Sequence, residues 1–309
     1  MRATGASIAR KHVPAIHDSD CTGYDEGMNR LLLFFMLFAF LPGTDACADP
    51  LDVSKLQGLG DTRYRLFESE SLGHPLYLYI RLPDRVTEDE ARLFPTVYIL
   101  DGGINYPLLS AYYHYLLLGE ELPELILVGI SYGSDTFEGG NYRSSDFTAA
   151  APDREWWGKA PLFQGVLQNE LVPLIESAYP ADPGQRIIFG QSLGGQFVLY
   201  SALTEPGLFQ GYIASNPALH RNLEYFLSWH GEDPMPGPAS RLFVSLAEHD
   251  DPRFREPADS WVEAWRARTA RPWLLETRIL DDQTHLSAAP EAFRQGLKWI
   301  LENGRSENQ

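Results

Sequence analysis

The stretch Arg186–Phe197, RIIFGQSLGGQF, constrains this chain more than any other. It reads as a short apolar strand (Ile187, Ile188, Phe189), then Gly190-Gln191-Ser192-Leu193-Gly194, then the start of an apolar helix. A G-x-S-x-G pentad between a strand and a helix is a nucleophile elbow. So tight a turn needs positions without a Cβ, which Gly190 and Gly194 provide. It sets Oγ of Ser192 at the head of a helix, in front of free backbone N–H groups. Elsewhere the same pentad is an ordinary glycine-rich turn. The strand before it and the helix after it make Ser192 the candidate nucleophile.

That strand is one of a series. Thr62–Phe67 and Leu76–Leu82 read as an antiparallel hairpin turning near Gly73-His74. Leu76, Leu78 and Ile80 alternate with Tyr77, Tyr79 and Arg81, which predicts one better-buried face. Thr96–Leu100 and Leu125–Ile130 are continuous apolar runs, the pattern of strands covered on both faces. Further strands are expected at 211–214, 242–246 and 274–279. Helices are expected at 108–119, at 162–179 with a bend at Pro173, from the elbow to Thr204, at 257–269 and at 290–301. Residues 131–161 read as a long polar loop and 220–239 as irregular. Two early strands followed by repeated strand–helix units predict an α/β fold. Its sheet is open and mostly parallel, with antiparallel N-terminal strands and helices on both faces. Right-handed crossovers bring the strand C-termini to one edge. Asp101, Ser131, Ser192, Asn216, Asp250 and His285 each follow such an end and can converge there.

A serine hydroxyl is a weak nucleophile until a base accepts its proton, and the base needs an acid to orient it. On this topology the chain order is serine, acid, histidine. His285 follows the last strand, whereas His74, His114, His220, His230 and His249 all precede it. The acid falls within Glu248-His249-Asp250-Asp251. Asp250 is the first candidate, Asp251 and Glu248 are alternatives, and a serine–histidine dyad or an acid from elsewhere in the chain stays open. The oxyanion of an acyl-transfer intermediate needs two backbone donors. Leu193 N–H is one; the other is expected from Gly102, Gly103 or Ile104, with Asp101 bracing that loop. Arg143 either pairs with Asp146 to hold the long loop or meets an anionic substrate. Trp156, Trp157, Tyr225, Phe226 and Trp229 either line a pocket or pack beneath loops. With no HExxH, cysteine cluster, GxGxxG or P-loop lysine, neither a catalytic metal nor a nucleotide cofactor is expected. A net charge of -17 argues against a nucleic-acid surface.

The first 48 residues have a different character. Met28-Asn29-Arg30 precedes the apolar run Leu31–Leu41, and Ala46-Cys47-Ala48 follows it. The run is too short to span a bilayer and has the layout of a secretory signal peptide. Met28 is therefore expected to be the true start, with residues 1–27 an over-extension and 28–48 removed on export to the periplasm or beyond. A lipoprotein signal ending at Cys47 is the lesser alternative. Both cysteines, Cys21 and Cys47, would leave with that segment. Residues 49–309 would then form one α/β domain held by its core alone.

Several stretches carry a resemblance beyond the elbow. They are Val97–Gly103 (VYILDGG), Val128–Gly133 (VGISYG), Arg143–Thr148 (RSSDFT) and Phe163–Pro173 (FQGVLQNELVP), with Phe189–Leu199, Phe209–Leu219 (FQGYIASNPAL) and His285–Ile300. In that order, across residues 62–301, they resemble the putative-esterase family of the α/β-hydrolases. That family includes enterobactin and salmochelin esterases and relatives of S-formylglutathione hydrolase. The resemblance implies cofactor-free hydrolysis of a small-molecule ester or thioester, with Ser192 as nucleophile, His285 as base and Leu193 as an oxyanion donor. It also implies that the acid can be weak or absent, which bears on Asp250. Two positions depart from the family pattern. Asn216 stands where serine is common before the proline, and His220 where an aromatic residue is usual; both are expected close to the substrate pocket. An acyltransferase and a non-catalytic binding protein are the alternatives on this fold.

Overall fold

The computed structural model describes residues 55–84, 92–228 and 240–305. The leader-like segment with both cysteines, and the aromatic candidate Trp229, lie outside the described residues. Eight strands form one sheet in the order β1-β2-β4-β3-β5-β6-β7-β8. β1 (Asp61–Ser69) and β2 (His74–Leu82) make the expected hairpin, and β2 pairs antiparallel with β4 (Ile126–Ser131). From β4 through β3 (Phe94–Ile99), β5 (Ala181–Gln191), β6 (Gly211–Ser215), β7 (Ser240–Ala247) and β8 (Trp273–Leu280) every pairing is parallel. All residues of β4, β6 and β7 are buried, as strands covered on both faces must be.

The strand period of two divides the core. Tyr98, Val128, Ile188, Tyr212 and Leu242 point to one face, where they meet Phe163, Phe197 and Trp261. Val97, Ile99, Leu127, Ile187, Phe189, Ile213 and Phe243 point to the other, against Tyr106, Leu109, Phe293 and Leu297. The first set of partners comes from α3 (Ala160–Val166), α5 (Leu193–Thr204) and α7 (Pro252–Ala267). The second comes from α1 (Gly102–Leu118) and α8 (Ala289–Arg305).

Four details differ from the sequence reading. α1 starts at Gly102, six residues before the expected 108, because the carbonyl of Asp101 accepts the N–H groups of both Ile104 and Asn105. Arg81 belongs to the buried set. Its guanidinium donates to the carbonyls of Gly58 and Ser110 and lies over the Tyr113 ring, so its polar end is satisfied inside. The helix over 160–178 does not simply bend at Pro173. It widens into a π turn at Leu167–Leu171 before continuing as α4 (Val172–Ala178), which accommodates a proline that has no N–H to donate. α7 starts at Pro252, five residues early, because Asp251 caps it: its carboxylate accepts the Arg253 N–H at 2.9 Å.

Two shorter α-helices and a 3-10 turn at Gln57–Leu59 complete the described elements. α2 (Arg143–Asp146) gives the long 131–161 segment a helical turn, and α6 (Leu223–Leu227) lies within the stretch read as irregular.

Candidate active site

The C-terminal edge of the parallel strands gathers the chemistry-bearing residues. Ser192 follows β5 directly and adopts φ 60, ψ -113, a conformation a serine takes only when its surroundings enforce it. Its N–H donates to the Ser215 carbonyl, and its carbonyl accepts from Gln196 and Ala218. The elbow is also enforced sterically. A Cβ on Gly190 would fall inside the Gly194 carbonyl, and one on Gly195 would lie 2.8 Å from the Ser215 oxygen. Gly194 itself is less constrained, since a Cβ there would stand 3.4 Å from Asp101 Oδ2. The close-approach glycines are thus 190 and 195, rather than 190 and 194.

His285 follows β8 and reaches both neighbours. Its Nε2 stands 2.9 Å from Ser192 Oγ and its Nδ1 stands 2.9 Å from Asp250 Oδ2. A carboxylate only accepts, so Nδ1 donates to it and Nε2 is left to accept from the serine hydroxyl.

The three neighbouring carboxylates separate by what they bond. Asp250, whose side chain is 4% exposed, faces His285. Asp251 is occupied as the cap of α7 and is half exposed. Glu248 accepts the Asp282 N–H at 2.8 Å and braces the turn after β8. Neither alternative acid is hydrogen-bonded to the imidazole.

His285 is further held through its main chain. Asn216 Nδ2 donates to the His285 carbonyl at 3.2 Å, and Gln191 Nε2 donates to the same oxygen. Asn216 Oδ1 accepts the Ala247 N–H at 2.7 Å, just before the Glu248–Asp250 turn. One buried amide therefore ties the loop bearing His285 to the loop bearing Asp250. Asn216 is a strut and does not line the pocket. Phe254, on the first turn of α7, stacks on the His285 ring with centroids 4.4 Å apart. Neither Gln191 nor Phe254 stood among the sequence candidates. The Asp251-Pro252 cap signature is the signal that would have put Phe254 beside the acid loop.

Opposite Ser192, Asp101 sits in the left-handed region (φ 53, ψ 42) at the head of α1. Arg143 grips its carboxylate with two bonds, at 2.6 and 2.9 Å. Burial alone would lower the Arg143 pKa; the Asp101 charge and hydrogen bonds outweigh it and raise it, so the guanidinium stays charged. Arg143 does not pair with Asp146. Asp146 instead accepts from the Tyr132 hydroxyl and Ser145 Oγ and bonds His74 Nε2 at 2.9 Å. Burial, aided by the Asp146 charge, raises the Tyr132 pKa and keeps its phenol a donor.

The Ile104 N–H is already donated to Asp101, so it is not a free oxyanion donor. Gly102 and Gly103 open α1 and Leu193 opens α5, positions whose N–H groups a helix leaves unpaired. Gly102 packs against β4, where a Cβ would lie 2.6 Å from Ile130 N. Gly103 borders a cavity of about 870 Å³ together with Ser192, Asp101, Arg143, Tyr132 and Leu286.

Comparison with known proteins fits this architecture. A family model described as Putative esterase matches residues 69–290. The chain belongs to this family. It is 26% identical over 265 residues to ferri-bacillibactin esterase BesA of Bacillus subtilis (strain 168), covering 78% of this chain and 89% of that protein. Among solved structures, it resembles an IroE-like serine hydrolase from Shewanella oneidensis (TM-score 0.67, 19% identity, 79% and 81% of the two chains). It also resembles siderophore hydrolase EstB from Aspergillus nidulans (TM-score 0.66, 18% identity, 78% and 96%). The fold is that of the α/β serine hydrolases and the protein is a carboxylic ester hydrolase.

In this esterase the described aromatic candidates Trp156, Trp157, Tyr225 and Phe226 are not among the residues that line the cavity Ser192 borders. Trp156 is exposed beneath the Arg154 guanidinium, and Trp157 lies in the same turn. Tyr225 stacks on Tyr200. His220 packs edge-on against Phe254, behind the base. Burial first, and then the charges of Arg221, Arg253 and Arg154, lower its pKa and keep it neutral. Among the described residues no cluster of potential metal ligands occurs, and no helix is long and apolar enough to cross a membrane.

Proposed function

We propose that this esterase works by a serine–histidine–aspartate mechanism through an acyl-enzyme, and that it acts on a small-molecule ester after export. The observation that carries the reading is the position of His285, 2.9 Å from both Ser192 Oγ and Asp250 Oδ2. His285 takes the hydroxyl proton as Ser192 Oγ attacks the ester carbonyl. The Leu193 and Gly103 N–H groups, at the heads of two helices, receive the developing oxyanion. His285 returns the proton to the departing alcohol, and water, activated by the same imidazole, releases the acid. Asp250 keeps the ring in the required tautomer.

The relatives' names point to siderophore esters as the first natural class to assay. Export rests on the leader-like segment ending near Ala48; N-terminal sequencing of the protein recovered from its host reads the cleavage. The mechanism is tested with p-nitrophenyl acetate and butyrate on the intact protein, Ser192→Ala and His285→Ala. Each variant should lose at least about 10⁴-fold in kcat. A phosphonate ester should add its mass to the peptide bearing Ser192. Turnover that survives Ser192→Ala would sink this reading.

A further inference from the structure

The cavity beside Ser192 has two unlike walls. One is polar and fixed: Asp101, Asn141, Arg143, Ser131 and Ser134. The other is built by Ile104 and Leu108 on α1 and by Leu286, the residue after His285. These three are 71%, 48% and 82% exposed. Large aliphatic side chains so far in water, bordering one cavity, mark a surface awaiting an apolar partner. The helix that carries two of them accentuates the point. None of the 17 residues of α1, GGINYPLLSAYYHYLLL, is Asp, Glu, Lys or Arg, although one of its faces meets solvent. A solvent-facing helix ordinarily carries charge on that face.

The partner's chemistry follows from what the wall lacks. Ile104, Leu108 and Leu286 offer no side-chain donor or acceptor, so they cannot select a polar group by hydrogen bonds. They share their cavity with the candidate nucleophile, so whatever covers them is continuous with the bound ester. From this juxtaposition we infer that the Ile104–Leu108–Leu286 wall is a binding subsite for an apolar chain of about six or more carbons on the substrate ester. This inference rests on the serine-esterase reading above and narrows its substrate class. The chain can belong to the acyl or to the alcohol half, since both depart from the same carbonyl carbon.

A rim contact of this kind covers each methylene on about one side. Complete burial raises binding about fourfold per methylene, and half burial about twofold. Six added methylenes therefore predict a gain of ~60-fold in kcat/KM. Two series are read on the full-length protein: p-nitrophenyl acetate through octanoate, and methyl through heptyl acetate. A rise of that order in one series places the chain in that half of the ester. The double variant Leu108→Ser with Leu286→Ser changes only exposed side chains. It should cut the long-to-short ratio of kcat/KM about tenfold. A flat profile in both series, or a ratio unchanged in the variant, overturns the subsite while Ser192-dependent turnover of the short esters leaves the mechanism standing.

A second readout is independent of turnover. Ser192→Ala protein is titrated calorimetrically with butyl and octyl β-glucoside below their micelle concentrations. Octyl should bind at least tenfold tighter, and the Leu108→Ser, Leu286→Ser changes should remove the difference. Equal affinity for the two glucosides overturns the inference even if no ester is turned over.

Discussion

The two sides of Ser192 are built on opposite principles. On the His285 side nearly every polar atom is bonded. The imidazole has Ser192 and Asp250, its backbone carbonyl has Asn216 and Gln191, and its ring face has Phe254. On the cavity side the Ile104, Leu108 and Leu286 side chains stand in water and hold nothing. Proton transfer tolerates little displacement, because a misplacement of about 1 Å costs on the order of 100-fold in rate. An apolar contact has no direction and tolerates much more. The difference between the sides follows the difference between these two tasks.

Substitutions on the bonded side should therefore lower kcat alike for every ester, and those on the open side should only re-rank esters. Asp250→Asn tests the bonded side hardest. It keeps the shape but sets the wrong tautomer on His285, and kcat should fall about 10³-fold or more across all chain lengths. A loss below tenfold would mean that the imidazole works as one half of a dyad. Asn216→Ala should come next, with kcat down about 10- to 100-fold and KM nearly unchanged. It frees the His285 carbonyl and the Ala247 N–H together. If KM rose while kcat held, Asn216 would be a substrate contact after all. Arg143→Gln leaves Asp101 half buried without its counter-charge. A cost of about 2 kcal/mol, read by urea denaturation, should accompany a kcat loss near tenfold as the head of α1 loosens. Phe254→Leu is the mildest. Loss of a stacked ring is worth about 1 kcal/mol, so kcat should drop about fivefold with folding intact.

Much of the architecture was readable from periodicity. Thr96–Leu100 and Leu125–Ile130 are apolar throughout because both sheet faces are covered, and the elbow pentad marks where β5 gives way to α5. The position of His285 beyond the final strand followed from chain order. The acid did not follow, for a physical reason. Glu248, Asp250 and Asp251 lie within four residues and are alike in charge. Which one meets the imidazole depends on which is taken up by the α7 cap and which by the turn after β8. The contacts of Asn216 and the partner of Arg143 are hidden in the sequence for a related reason. A polar residue near a strand end looks the same in sequence whether it touches substrate or braces a neighbouring loop. Asn216 proves to bond Ala247 and His285, and Arg143 bonds Asp101 instead of Asp146. Ile104 was offered as an oxyanion donor because its helix was expected to begin later. Once Asp101 adopts the left-handed conformation, the α1 ladder takes that N–H.

The anchoring of His285 by its backbone oxygen has an evolutionary consequence. A carbonyl is common to all residues, and the bonds from Asn216 and Gln191 do not read the side chain that follows it. Position 286 is thus chemically adjacent to the base yet mechanically independent of it. Lineages descended from such a chain can exchange Leu286 for a polar, aromatic or smaller residue and drift toward new esters while keeping their catalytic step intact. A family that shares one reaction and diversifies its substrates needs adjoining positions of this uncoupled kind.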